Sequence, residues 1–101
     1  MKKLKEEIQS AVNIFKSGNL SKAEQVSKKL IKANPNVAFL HNLLGLILSG
    51  QGKSEQAIEC YEKGIKIDPN FAIIYNNLAL LLYVIKFFSK DQSSNMPILN
   101  K

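Results

Sequence analysis

Few side chains here are of a kind that does chemistry: one histidine, His41, one cysteine, Cys60, and a short run of carboxylates, Glu55, Glu59 and Glu62. A catalytic histidine needs a nucleophile or a carboxylate set beside it, and a metal needs further nitrogen, sulfur or oxygen ligands. The sequence supplies neither at useful spacing around His41, so a packing role is expected for it. Cys60 has no second cysteine to pair with or to share a metal, and is expected as a buried structural thiol. The three glutamates alternate with Lys63 and Lys66 at helical spacing, which is the pattern of a solvated face. No glycine-rich phosphate loop and no zinc spacing is present. The expectation is a chain that is not an enzyme, with no catalytic residue, no cofactor and no metal site.

Charge narrows the partners. The 101 residues carry a net charge of +6, and all fourteen basic residues are lysines. Lysine is a flexible point charge, without the planar fork by which arginine grips phosphates and base edges, so specific nucleic-acid binding is not expected. The lysines are unevenly spread: residues 1–35 hold eight against three acids, residues 36–69 three against four. That excess reads as the solvated surface of the first helices. The opening MKKLKEEIQS follows its lysines with Glu6 and Glu7 instead of an apolar run, so no export signal is read and a cytoplasmic location is expected. Residues 71–88 are apolar enough to raise a membrane span. Asn76, Asn77 and Lys86 would then enter or border hydrocarbon, and membrane insertion is not expected.

Apolar residues recur at helical spacing. Leu4, Ile8, Ala11, Val12 and Phe15 form one stripe over residues 4–17, and Gly18-Asn19 breaks it with residues that tolerate left-handed backbone. A second helix to about Ala33 presents Leu20, Ala23, Val26, Leu30 and Ile31, with Ser21 and Glu24 at the spacing of a capping box. Asn34-Pro35 stops it, because the residue before a proline is pushed out of helical conformation. The cycle repeats over residues 37–49 and from Ser54 to Asp68-Pro69, and a fifth helix begins at Phe71. A shift of thirty-four residues carries Gly18 onto Gly52, Ala23 onto Ala57, Pro35 onto Pro69, Asn42 onto Asn76 and Leu44 onto Leu78. A fixed period of this size marks a stacked repeat. Ala11, Gly45 and Ala79, one period apart, are small enough to let paired helices approach closely. Register then fails: the next turn glycine falls at Lys86 and the next small alanine at Asp91. Residues 89–101 are expected as a poorly ordered tail.

These positions resemble the tetratricopeptide repeat: Leu44-Gly45 in a first helix, Ala57 and Tyr61 in a second, and Pro69 closing the unit. The resemblance covers about residues 4–85, and the first unit departs from it with Ser27 where an aromatic residue is usual. It implies an all-α fold, antiparallel helix pairs stacked as a short right-handed α-solenoid. One domain would span residues 1–88, in repeats at about 4–37, 38–71 and a partial 72–88. It further implies a scaffold that binds a protein or peptide in a concave groove. By the resemblance, Ile8, Val12, Phe39, Asn42, Leu46, Ile73, Asn76 and Leu80 would line that groove. Asn42 and Asn76 would hydrogen-bond a peptide backbone, and the aliphatic residues would give shallow apolar pockets. The carboxylate clamp of one subfamily is absent, since Ile8, Val12, Leu43, Ile73 and Asn77 stand at its places. The alternative is an amino-terminal part of a larger enzyme, because such repeats often precede catalytic domains, those of glycosyl- and sulfotransferases included.

The fifth helix carries Leu78, Leu81, Leu82, Ile85 and Phe88 around much of its circumference, with no second helix read after it. An apolar patch of that kind marks an interface, and a two-fold contact lets one patch cover itself. Self-association as a homodimer is therefore expected.

Overall fold

A computed structural model of the chain describes the backbone of residues 2–99 and the side chains of residues 3–88. The described residues form five helices: α1 (Lys2–Lys16), α2 (Leu20–Ala33), α3 (Ala38–Gly50), α4 (Ser54–Ile67) and α5 (Ala72–Leu99). Gly18 and Gly52 close the first helix of each complete pair, with φ of +91° and +80°, a backbone that L side chains rarely adopt. Turns of three residues, 17–19 and 51–53, then reverse the chain. Links that short leave neighbouring helices antiparallel. This is the all-α stack of helix pairs that the period implies.

Polar side chains finish the ends. Asn19 caps α2, its Oδ1 accepting from the Lys22 amide at 3.1 Å. The expected capping box at Ser21 and Glu24 does not form, because α2 starts at Leu20 and so places its cap at Asn19, two residues further back. Glu24 instead meets Lys28 at 2.7 Å and Lys53 at 3.2 Å, tying the first pair to the start of α4. The hydrogen bond from Lys28 holds the Glu24 carboxyl below its usual range, with Lys53 adding to it. Surface pairs of this kind contribute about 0 to 1 kcal/mol. His41 is buried, and its Nε2 lies 2.9 Å from the Pro35 carbonyl oxygen. A carbonyl only accepts, so the ring N–H donates, and it pins the link between α2 and α3.

Packing centres on α3, where nine residues are buried. One side, with Leu40, Leu43 and Ile47, joins Ala11, Ala23 and Leu30 in a cluster between α1, α2 and α3. The other side, with Ala38, Leu44 and Leu48, joins Ala57, Cys60, Tyr61, Ile74 and Leu81 between α3, α4 and α5. Gly45 is what lets α4 come so close: a Cβ built there would fall 2.7 Å from Tyr61 Cδ1.

The fifth helix departs from the expectation of a tail beginning at Ser89, since α5 runs on to Leu99. The two glycines at positive φ have their period-equivalent at Lys86, which has no such freedom, so nothing turns the backbone there. No glycine follows in the segment to Leu99, and its one proline, Pro97, comes near the end.

The Gly45–Tyr61 contact is testable. Gly45→Ala drives a methyl into the ring and is expected to cost roughly 1 to 3 kcal/mol in urea unfolding. Combining it with Tyr61→Leu should cost clearly less than the sum of the two single changes, because both act on one contact. Additive losses would mean that the ring has room to give.

Candidate functional site

Between α3 and α5 the stack opens into a cavity of about 460 Å³. That is within the range of pockets that hold a ligand. Leu46 and Ser49 of α3 form one wall, and Leu80, Val84 and Phe88 of α5 form the other. Tyr61 of α4 is the floor, and Gly52 and Ser54 close the end at the α3–α4 turn. The opposite end is tied shut, as Asn77 Nδ2 donates to Asn42 Oδ1 at 2.8 Å across the two helices. The cavity is therefore an apolar slot with a few hydroxyls and one amide at its ends. Such a slot can hold an apolar side chain and hydrogen-bond the chain that carries it.

The expected groove residues separate into groups. Leu46 and Leu80, one period apart, line the cavity together. Ile8 and Val12 lie half-buried on α1 against the first core cluster, away from the slot. Phe39 and Ile73 are exposed near the starts of α3 and α5. Asn42 and Asn76 do not act as a matched pair: Asn42 is buried and engaged with Asn77, while Asn76 is exposed. Replacing Asn42 would leave the Asn77 amide without its partner.

The residues assigned to self-association also divide. Leu81 is only 7% exposed and belongs to the core, with Leu78 and Ile85 packed against the same cluster. Those three fasten α5 to α4, so glutamate at Leu81 would break the fold before it tested an interface. Leu82 and Phe88 are open, at 46% and 63%. Sequence reasoning missed Tyr61, Asn77 and Val84 as cavity residues. A signal for Tyr61 was present, since it stands opposite the one glycine among the small residues at the helix crossings.

The carboxylates Glu55, Glu59 and Glu62 are exposed with Lys63 and Lys66 on the outer face of α4. Burial pushes the Cys60 thiol above its ordinary range. Among the described residues no group of His, Cys, Asp and Glu side chains could hold a metal ion. No helix among them is long and apolar enough to cross a membrane.

Two family models match the sequence, one described as a TPR repeat over residues 50–84 and one as a tetratricopeptide repeat over residues 27–59. The crystal structure of MamA is similar in fold, with a TM-score of 0.70 and 24% identity over 90% of this chain and 57% of that one. This chain thus spans little more than half the length of that protein. No curated protein matches the sequence.

Burial pushes the Tyr61 phenol from 10.0 up to about 12, and the neighbouring Cys60 adds to the effect. A phenol that ionises later in the folded chain than in the unfolded one stabilises the fold fully below pH 10 and loses that contribution between pH 10 and about 12. Urea midpoints should therefore fall across that window, and more shallowly in Tyr61→Phe than in the parent. Equal slopes would mean that the Tyr61 hydroxyl is hydrated.

Proposed function

The chain belongs to the tetratricopeptide repeat family, and from that membership we propose that it is a non-enzymatic scaffold, binding an extended peptide or a protein surface along the concave side of α3 and α5. Repeats of this family serve as protein-interaction scaffolds. The observation that carries the finer reading is the apolar slot, because its wall residue Leu80 is 63% exposed and therefore available to a partner. Leu46 faces it, and Tyr61 beneath gives a flat, rigid floor of the kind that receives an apolar anchor residue. Asn76, exposed near the same face, supplies an amide to the partner's backbone. Lysine excess on the first helix pair adds long-range attraction for acidic partners.

Self-association through α5 is the second reading, favoured by the exposure of Leu82, Tyr83, Phe87 and Phe88 on one helix. Cys60 is free and buried, a state that suits the cytoplasm, where thiols stay reduced.

The groove is tested with a displayed library of random peptides selected against the whole chain. Selected peptides should carry a large apolar residue, and Leu80→Glu should weaken them at least tenfold while the circular dichroism spectrum stays that of the parent. Peptides that bind the parent and Leu80→Glu alike would place the site elsewhere.

A further inference from the structure

Every first helix in the stack is closed on one side by the second helix of its pair, except the last. His41, Gly45 and Leu48 of α3 lie under α4, with His41 at 6% and Leu48 at 1% exposure. One period on, the same three places on α5 are Tyr75, Ala79 and Leu82, and there Tyr75 is 44% exposed, Leu82 is 46% exposed and Ala79 is open. In α1 the equivalent alanine, Ala11, is 0% exposed and shares the first core cluster with Ala23 of α2. The stripe Tyr75–Ala79–Leu82 is thus a helix-docking face with the small residue already at its centre. Among the described residues nothing lies on it.

We propose that α5 of a second copy occupies this face, antiparallel to the first, with the two-fold axis passing beside Ala79. The proposal rests on the self-association reading and adds the contact's place and direction. Three observations favour a second copy. First, a two-fold axis across a helix makes the pair antiparallel, as the chain's own pairs are, and sets Ala79 against Ala79 much as Ala11 and Ala23 share the buried core of the first pair. Second, charge permits it: residues 72–88 carry one charged side chain, Lys86. That lysine lies seven residues from the axis, so the two lysines of a pair sit about 20 Å apart along the helices, well beyond the screening length of about 8 Å. Third, the eight large apolar side chains of α5 from Ile73 to Phe88 are each between 44% and 66% exposed. Those on or beside the stripe, Tyr75, Leu82, Tyr83 and Phe87, form an apolar patch of the kind that marks an interface, while Leu80, Val84 and Phe88 face the slot. Tyr75 of one copy then meets Leu82 of the other, twice.

Mass by light scattering across a dilution series of the whole chain should show a dimer that dissociates on dilution, and Leu82→Glu should raise the dissociation constant at least tenfold. Tyr75→Glu serves as a second variant should Leu82→Glu fail to give the parent's circular dichroism spectrum. The axis is tested by Ala79→Cys in a Cys60→Ala background. A residue beside a two-fold axis meets its own copy, so mild oxidation should link the chains through position 79, while Ile73→Cys on another face of α5 should not link. A dimer that Leu82→Glu disrupts but that does not link at position 79 overturns the antiparallel contact and leaves self-association standing. A parent that stays monomeric at all concentrations overturns both.

Discussion

Burial of α3 on two opposite sides is the constraint on which the rest of the structure depends. A helix reading AFLHNLLGLILSG has almost no face for water, and six of its nine buried residues are divided between two clusters, three to each. Truncating any one of its buried leucines would cost about 2 to 5 kcal/mol, a large part of the stability of a small domain. The flanking helices are there to cover it: α2 with the first pair on one side, α4 and α5 on the other. Gly45 is part of the same requirement. Its missing side chain is the space into which Tyr61 fits, so α4 approaches α3 closely enough to bury a whole aromatic ring.

The same contact explains why the two complete units differ. In the first unit the place of Tyr61 is taken by Ser27, fully buried with no hydrogen-bond partner for its Oγ, and the place of Gly45 by Ala11. A larger residue on the first helix goes with a smaller one on the second, and a smaller with a larger. The summed volume at the crossing is what packing constrains. Ala79 in the third unit is of the first kind, a small side chain suited to another small one.

Much of this was legible in the sequence because it is periodic. Helix number, the two turn glycines, the proline-marked links and the apolar stripes all repeat at thirty-four residues, so each reading supported the next. What escaped was non-periodic. The end of α5 depends on the absence of a breaker at Lys86, and loss of register reads in sequence as loss of structure, whereas a helix without a stop signal simply continues. Asn77 bonds Asn42 across a separation of one period plus one residue, an offset that a search for period-matched pairs passes over. Leu81 and Leu82 are adjacent and chemically identical, yet one is core and the other surface, because neighbouring residues on a helix point about 100° apart. Composition alone could not divide them.

That angular separation also decides how the two open faces of α5 relate. Ala79 and Leu80 are neighbours, so the docking stripe and the cavity wall are turned about 100° from each other and present different sets of side chains. Tyr75 and Leu82 belong to the first, Val84 and Phe88 to the second. Occupation of one therefore need not exclude the other. Each still acts on the same rigid body, held to α4 by Ile74, Leu78, Leu81 and Ile85 and to α3 by the Asn42–Asn77 bond. The bond fixes the slot at one end only. At the other end Phe88, whose period-equivalent place is Ser54, lines the slot beyond the level at which α3 finishes at Gly50. On the proposed reading, a helix seated on the Ala79 stripe would add contacts to α5 and so reduce the ordering cost of filling the slot.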